Sequence, residues 1–408
     1  MRSEIVRGYD VGGRRRQWSF HMRMLEFGRE PLYTISFSYR LKSVQALVRP
    51  NLIHCSMFHC KNIKAVCVIK AANEMIFAVT TGYDRLVQVF SMNVTRGDWI
   101  ILLALVVSSV PTTAQGVLME NRHIIVLIGA QDGVITIYIL EPCDVCSGGT
   151  TTARSTEFRC RGQKSAVTCL YIIKQPSYRD EFNCLVSYGD GKMLMLTVKV
   201  DRVLPKCTVD KTKHFGTLMC QEGNKFSKVI GWCWEDVHIV CGGTSDGKLM
   251  VWRTKRTAAP KHVSTISIDN SPITSLTTSI NEAMRFVAVG SSSGLISVFS
   301  FHGEIIVALS PFTVYQNPVA GIALDVLRSC LLIHSTSRNG QFSSYEITLS
   351  RKSVTRLAAT YECVLKQIRD FADANESGFI AVGDGMEVIP PPTKMKNFVG
   401  KSIDQNNK

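Results

Sequence analysis

Three kinds of residue in this sequence have the types and spacing for chemistry: a histidine–cysteine run, a CxxC pair and several basic runs. His54, Cys55, His59 and Cys60 fall within "HCSMFHC", and Cys143 and Cys146 form "CDVC", with Cys160 further on. A structural zinc ion takes four N or S ligands, usually as two pairs that the fold brings together. A second CxxC is absent and the His-Cys run borders apolar, strand-like sequence, so neither a metal nor a cofactor is expected. The CxxC also lacks the βαβ surroundings of a redox motif.

The basic runs point to phosphate. "GGRRRQWSFHMR" sets Arg14, Arg15 and Arg16 beside Trp18 and Phe20. Guanidinium groups hold phosphate oxygens, and aromatic rings stack on bases. The stretch 201–228 reads as a long insertion carrying Lys206, Lys211, Lys213, Lys225 and Lys228, and "RTKRTAAPKH" adds Lys255 and Arg256 on a rim. The candidate RNA contacts are Arg14, Arg15, Arg16, Lys211, Lys213, Lys255 and Arg256. A net charge of +14, from 47 Lys and Arg against 33 Asp and Glu, favours an acidic partner. The other reading of these stretches is a solvated basic surface. No Walker loop, GxSxG elbow, HExxH or helix-opening GxGxxG occurs, and the histidines are scattered, so an enzyme is not expected.

The elements that must position these residues show as a repeat. "VTTGYDRLVQVF", "LIGAQDGVITIY", "LVSYGDGKMLMLT", "VCGGTSDGKLMVW", "AVGSSSGLISVF" and "IHSTSRNGQFSSY" share one plan: an apolar run, small residues, a turn, then alternation. The turns hold Asp84, Asp132, Asp190, Asp246, Ser293 and Asn339. Asp-Gly and Asn-Gly between alternating runs predict hairpins, because both turn positions accept positive φ. The runs end on Phe90, Tyr138, Thr197, Trp252, Phe299 and Tyr345, at intervals of 48, 59, 55, 47 and 46. A further apolar run precedes each hairpin, as in "IKAVCVI" and "SAVTCLYII". Three or four strands at this period make a β-propeller blade, which buries its faces only against neighbouring blades.

This pattern resembles the WD-repeat family over about residues 61–389. Trp252 alone keeps the tryptophan that ends a family blade, and Arg253 stands where the aspartate belongs. The family's Gly-His pair is missing from every copy, so no blade is expected to complete the His–Asp–Ser/Thr–Trp hydrogen-bonded network. A seventh blade is placed at Tyr361 to Pro390. Its "DFAD" (Asp370 to Asp373) and "GDGMEV" (Gly383 to Val388) resemble the C-terminal ending of the WD-repeat proteins that partner the tRNA wobble-position 2′-O-methyltransferase. Members of that group are longer, with additional propeller upstream. The resemblance implies a non-catalytic scaffold whose partners are the methyltransferase and tRNA.

The reading is therefore an all-β protein, a degenerate WD40-like propeller of seven blades. Residues 1–60 form a basic arm able to donate a closing strand, 61–389 the propeller, and 390–408 a disordered tail. Cys67, Cys169 and Cys241 sit in apolar runs and read as reduced core residues, which fits the cytoplasm. No apolar run reaches the length of a membrane helix, no secretory h-region is seen, and no small-molecule substrate is expected. The alternative function is a protein-interaction propeller without RNA binding, such as a ubiquitin-ligase substrate receptor or trafficking scaffold.

Overall fold

The structure is a computed structural model. It describes the backbone of β1 (Ser3–Tyr9), β2 (Arg15–Phe27), β3 (Glu30–Ile35) and β4 (Leu52–Ile53). It further describes His59 and residues 62–391, except 71–74, 94–97, 120–122, 142–151, 161–162, 174–180, 202–205, 218–223, 256–257, 282–283, 304, 310, 328, 358–360, 375–377 and 390. Among the described residues there is no helix, so none long and apolar enough to cross a membrane.

Seven small antiparallel sheets form a ring. Blade 1 is β5 (Ile63–Lys70), β6 (Met75–Gly82), β7 (Leu86–Asn93) and β8 (Asp98–Val106). Blade 2 is β9 (Pro111–Leu118), β10 (Ile124–Ala130), β11 (Ile135–Glu141) and β12 (Thr152–Phe158). Blade 3 is β13 (Val167–Ile173), β14 (Glu181–Tyr188), β15 (Lys192–Asp201) and β16 (Lys206–Thr217). Blade 4 is β17 (Phe226–Trp234), β18 (Val237–Thr244), β19 (Lys248–Lys255) and β20 (Lys261–Ser267). Blade 5 is β21 (Ile273–Asn281), β22 (Met284–Ser291), β23 (Leu295–His302), β24 (Ile305–Ala308) and β25 (Phe312–Thr313). Blade 6 is β26 (Val319–Val326), β27 (Cys330–Ser337), β28 (Gln341–Thr348), β29 (Ser353–Arg356) and β30 (Tyr361–Glu362). Blade 7 is β31 (Ile368–Asp373), β32 (Phe379–Gly383) and β33 (Met386–Ile389), with β4 as its outer strand: Met386 pairs Ile53, and Glu387 pairs Leu52. The innermost strands β5, β9, β13, β17, β21, β26 and β31 each adjoin the next, and β31 meets β5.

The core follows from strand alternation with both faces covered. Along β10 every residue is buried. Ile124, Val126 and Ile128 face blade 1, while Ile125 and Leu127 face blade 3. Seven apolar clusters result, one in each seam between blades. Trp252 is buried in the seam of blades 3 and 4, edge-on to Phe215 and Phe226. Cys67, Cys169 and Cys241 are buried free thiols within these seams.

Three local expectations need correction. The stretch 201–228 is not an insertion: β16 runs through it as blade 3's outer strand, because Cys207 and Phe215 have apolar surface to bury. Tyr361 and Glu362 pair with Phe342 and Gln341 and so belong to blade 6 rather than to the seventh. In the hairpin turns of blades 1 to 6 only one residue is left-handed: Arg85, Gly133, Gly191, Gly247, Gly294 or Gly340, at φ 63°, 83°, 81°, 79°, 87° and 92°. Its N–H closes the turn on the carbonyl three residues earlier. In blades 1 to 3 the aspartate before it keeps negative φ and accepts from the N–H two residues on: Asp84 from Leu86, Asp132 from Val134 and Asp190 from Lys192.

A second repeated device lies inside the ring. Each innermost strand carries a β-bulge near its start, at Lys64, Thr112, Thr168, Ser227, Thr274, Ala320 and Arg369 in blades 1 to 7. In blades 2, 3 and 4 the bulged residue's hydroxyl donates to a carbonyl on the next blade: Thr112 to Val167 (2.5 Å), Thr168 to Phe226 (2.9 Å), Ser227 to Ile273 (2.5 Å). In these three blades a small hydroxyl staples neighbouring blades; Thr274 of blade 5 donates to Gly290 of its own blade.

Candidate functional site on the upper face

The six hairpin turns and the starts of the innermost strands share one end of the ring, here the upper face. There, His59 serves blade 1 without the glycine of the family's Gly-His pair, which is missing as expected. Its Nδ1 lies 3.0 Å from Asp84 Oδ1 and its Nε2 lies 3.1 Å from Thr80 Oγ1. Phe90 takes the tryptophan position, so the network has three of its four polar members. A Cβ on Gly82 would sit 2.4 Å from both His59 Nδ1 and Asp84 Oδ1, so only glycine admits this pair. His59 is thus a structural bridge, and among the described residues no group of three His, Cys, Asp or Glu is placed to hold an ion. His54, Cys55, Cys60, Cys143 and Cys146 lie outside the described residues.

In blade 5 the roles are exchanged. Asp269, just before β21, accepts from the hydroxyls of Ser271 (2.7 Å), Ser291 (3.1 Å) and Ser293. The Ser293 and Ser271 hydroxyls hold its carboxyl below the usual carboxylate range. Ser293, which looks in sequence like a lost turn aspartate, is the donor of an inverted network.

The predicted basic residues are not gathered into one site. Arg15 and Arg16 stand on β2, opposite Tyr9 and Gly8, and Arg14 and Arg256 lie outside the described residues. Lys211 is on β16 opposite Thr197. Lys213 and Lys255 do meet: the Lys213 ammonium donates to the carbonyls of Lys255 and Ala258 and to Thr254 Oγ1, tying blade 3 to blade 4. Lys255 is exposed at the end of β19.

A different basic group converges at the seam of blades 6 and 7. A pocket of about 380 Å³ is lined by Asn317, Pro318, Arg338, Asn339, Lys366, Gln367 and Arg369. Backbone bonds fix its floor, from Arg338 N to Pro318 O (2.8 Å) and from Ile368 N to Arg338 O (2.8 Å). Among the described residues no carboxylate lines it. The nearby Asp384 is turned to the backbone N–H of Lys366, at 3.3 Å. Arg338 and Lys366 are exposed and have no ion pair among the described residues. The Arg369 guanidinium lies 5.4 Å from the ring centre of Tyr83 and Lys64 Nζ lies 5.1 Å from it, so the basic surface continues onto blade 1. Sequence reading missed this group because its members are single residues in separate turns; the signal available was the bulge position, where blades 7 and 1 carry Arg369 and Lys64 in place of a hydroxyl.

These features define the class of protein: a seven-bladed β-propeller with WD40-like blades. No protein-family model matches the chain, and no curated protein matches it in sequence.

Proposed function

We propose that this propeller is a non-catalytic scaffold that holds tRNA for a separate 2′-O-methyltransferase acting at the anticodon wobble ribose. The observation that carries the reading is the construction of the last blade from the segment that resembles the family. Asp370 of "DFAD" accepts from Val66 N of blade 1 at 3.0 Å. The buried Glu387 of "GDGMEV" accepts from Tyr361 Oη at 3.0 Å and from Val364 N at 2.7 Å. Both residues have duties in joining the last blade to its neighbours, so the segments that carry the resemblance are structural parts of the ring. The positive charge supports an acidic partner, and a scaffold acts by lowering the cost of orienting a large flexible substrate.

The two faces differ in chemistry. The upper face carries the basic pocket. On the opposite face Ile280, Met284 and Leu327 are exposed beside the turns between first and second strands of blades 5 and 6. That apolar group suits a protein partner, and alone it favours the second reading, a protein-interaction propeller without RNA binding.

The test is wobble-ribose methylation of tRNA in cells that lack their own propeller subunit and are supplied with this chain. Restored methylation supports the proposal. Its absence, with the methyltransferase failing to co-purify, overturns it and leaves the protein-interaction reading.

A further inference from the structure

In blades 2, 3 and 4 the hydroxyl of the bulged residue staples neighbouring blades, whereas Thr274 of blade 5 donates to Gly290 of its own blade. Blades 6, 7 and 1 depart from this in succession, with Ala320, Arg369 and Lys64. These three positions carry no hydroxyl, and two of them carry long cations. Both lie by the Tyr83 ring of blade 1, Arg369 Nη1 donates to the Tyr83 hydroxyl at 3.5 Å, and Arg369 Nε is buried without a hydrogen-bond partner among the described residues.

The cations form a track rather than a point. Arg338, Lys366 and Arg369 surround the pocket, and Lys64 extends the row past Tyr83. Asn317, Asn339 and Gln367 add amide donors and acceptors at the pocket wall. Tyr83 remains 36% exposed although two cations engage it, which leaves ring surface for a flat ligand. A row of cations with an aromatic platform matches a polyanionic strand with bases along it. A phosphopeptide asks for one focal cluster, without the row or the ring.

We infer that the seam of blades 6, 7 and 1 is a subsite for a single RNA strand, in which Arg338, Lys366 and Arg369 hold a backbone phosphate and Tyr83 stacks on a neighbouring base. The assignment rests on the tRNA reading and says where on the propeller that contact is made.

The test measures binding of the full chain to a labelled tRNA anticodon stem-loop across a salt series. The variants are Arg338→Gln with Lys366→Gln, Tyr83→Ala, and Arg14→Gln with Arg15→Gln and Arg16→Gln. Arg338 and Lys366 are exposed, and their backbone bonds survive the substitution, so melting temperature should not move and serves as the fold control. The pocket pair should weaken binding about tenfold and lower the salt slope by about 0.7, the value for one phosphate contact in a single strand. Tyr83→Ala should weaken it about fivefold or more. If the parent chain binds and the pocket pair binds equally well with the same slope, the subsite is wrong while the tRNA reading stands. If the parent chain shows no salt-dependent binding, the tRNA reading itself falls. If it binds a phosphopeptide instead, with loss in the pocket pair, the site is real but the RNA assignment is overturned.

Discussion

Lys228 and Asp370 meet across the middle of the ring. The Lys228 ammonium, on the innermost strand of blade 4, lies 3.7 Å from Asp370 Oδ1, on the innermost strand of blade 7. The same carboxylate takes the N–H of Val66 on blade 1, so one acidic side chain joins three blades. Lys228 belongs to the basic stretch that reads in sequence as a surface loop, yet its charge is directed inward.

Lys228→Met should therefore destabilise the protein by about 0.5–1 kcal/mol, the range for a pair that still sees water. The Asp370 carboxylate raises the Lys228 pKa above its ordinary 10.5. A raised lysine stabilises fully below pH 10.5, and the contribution is lost as pH rises through the folded value. Urea unfolding at neutral pH checks the first point. A variant as stable as the parent would show that the pair contributes nothing.

The turn aspartates should not be equivalent. Asp84→Ala strands buried His59 and removes the acceptor for Leu86 N, so a loss of about 2 kcal/mol is expected. Asp190→Ala removes a bond to Lys192 N and an ion pair between partly exposed groups, and should cost about 0.5–1 kcal/mol. Equal shifts in the two thermal melts would mean that the His59 network is not holding blade 1.

These differences explain what the sequence made legible. The hairpins could be read because a turn dipeptide between alternating runs is local information, Asp-Gly or Asn-Gly in four of the six, and all six lie at the predicted turns. The blade edges could not: Tyr361 pairs backward with Phe342, and Leu52–Ile53 pairs with a strand more than three hundred residues away. The network in blade 1 was hidden because His59 lacks the family's preceding glycine, and that in blade 5 because Asp269 and Ser293 exchange roles. The basic runs drew attention by local density, while Lys64, Arg338, Lys366 and Arg369 become neighbours only when the ring closes.

Arg85 gives a prediction of opposite sign. It takes φ 63° at the position where blades 2 to 6 carry glycine. A side chain in the left-handed region costs about 1–2 kcal/mol. Arg85→Gly relieves that strain, against the loss of a 3.3 Å exposed bond to the Ser108 carbonyl and some added freedom of the unfolded chain. A net gain of about 0.5 kcal/mol is expected. A variant that melts below the parent would show that the arginine contributes more than its backbone strain removes.

The buried thiols make the fold sensitive to alkali. Burial first, and the Asp370 charge second, push Cys67 from the ordinary 9.0 to about 12, and burial does the same to Cys207. In the unfolded chain each thiol ionises at its ordinary value, while in the fold it keeps its proton. From about pH 9 to 12 the folded state therefore binds more protons than the unfolded one, and stability falls as pH rises. Each thiol contributes roughly 1.4 kcal/mol per pH unit to that slope. Cys67→Val keeps an apolar side chain of similar size in the seam of blades 1 and 2 but has no proton to lose. Its unfolding free energy should fall less steeply than the parent's between pH 9.5 and 11, by about one proton's worth. Parallel slopes in the two proteins would place the alkaline sensitivity elsewhere, with the Lys228–Asp370 pair the next group to test.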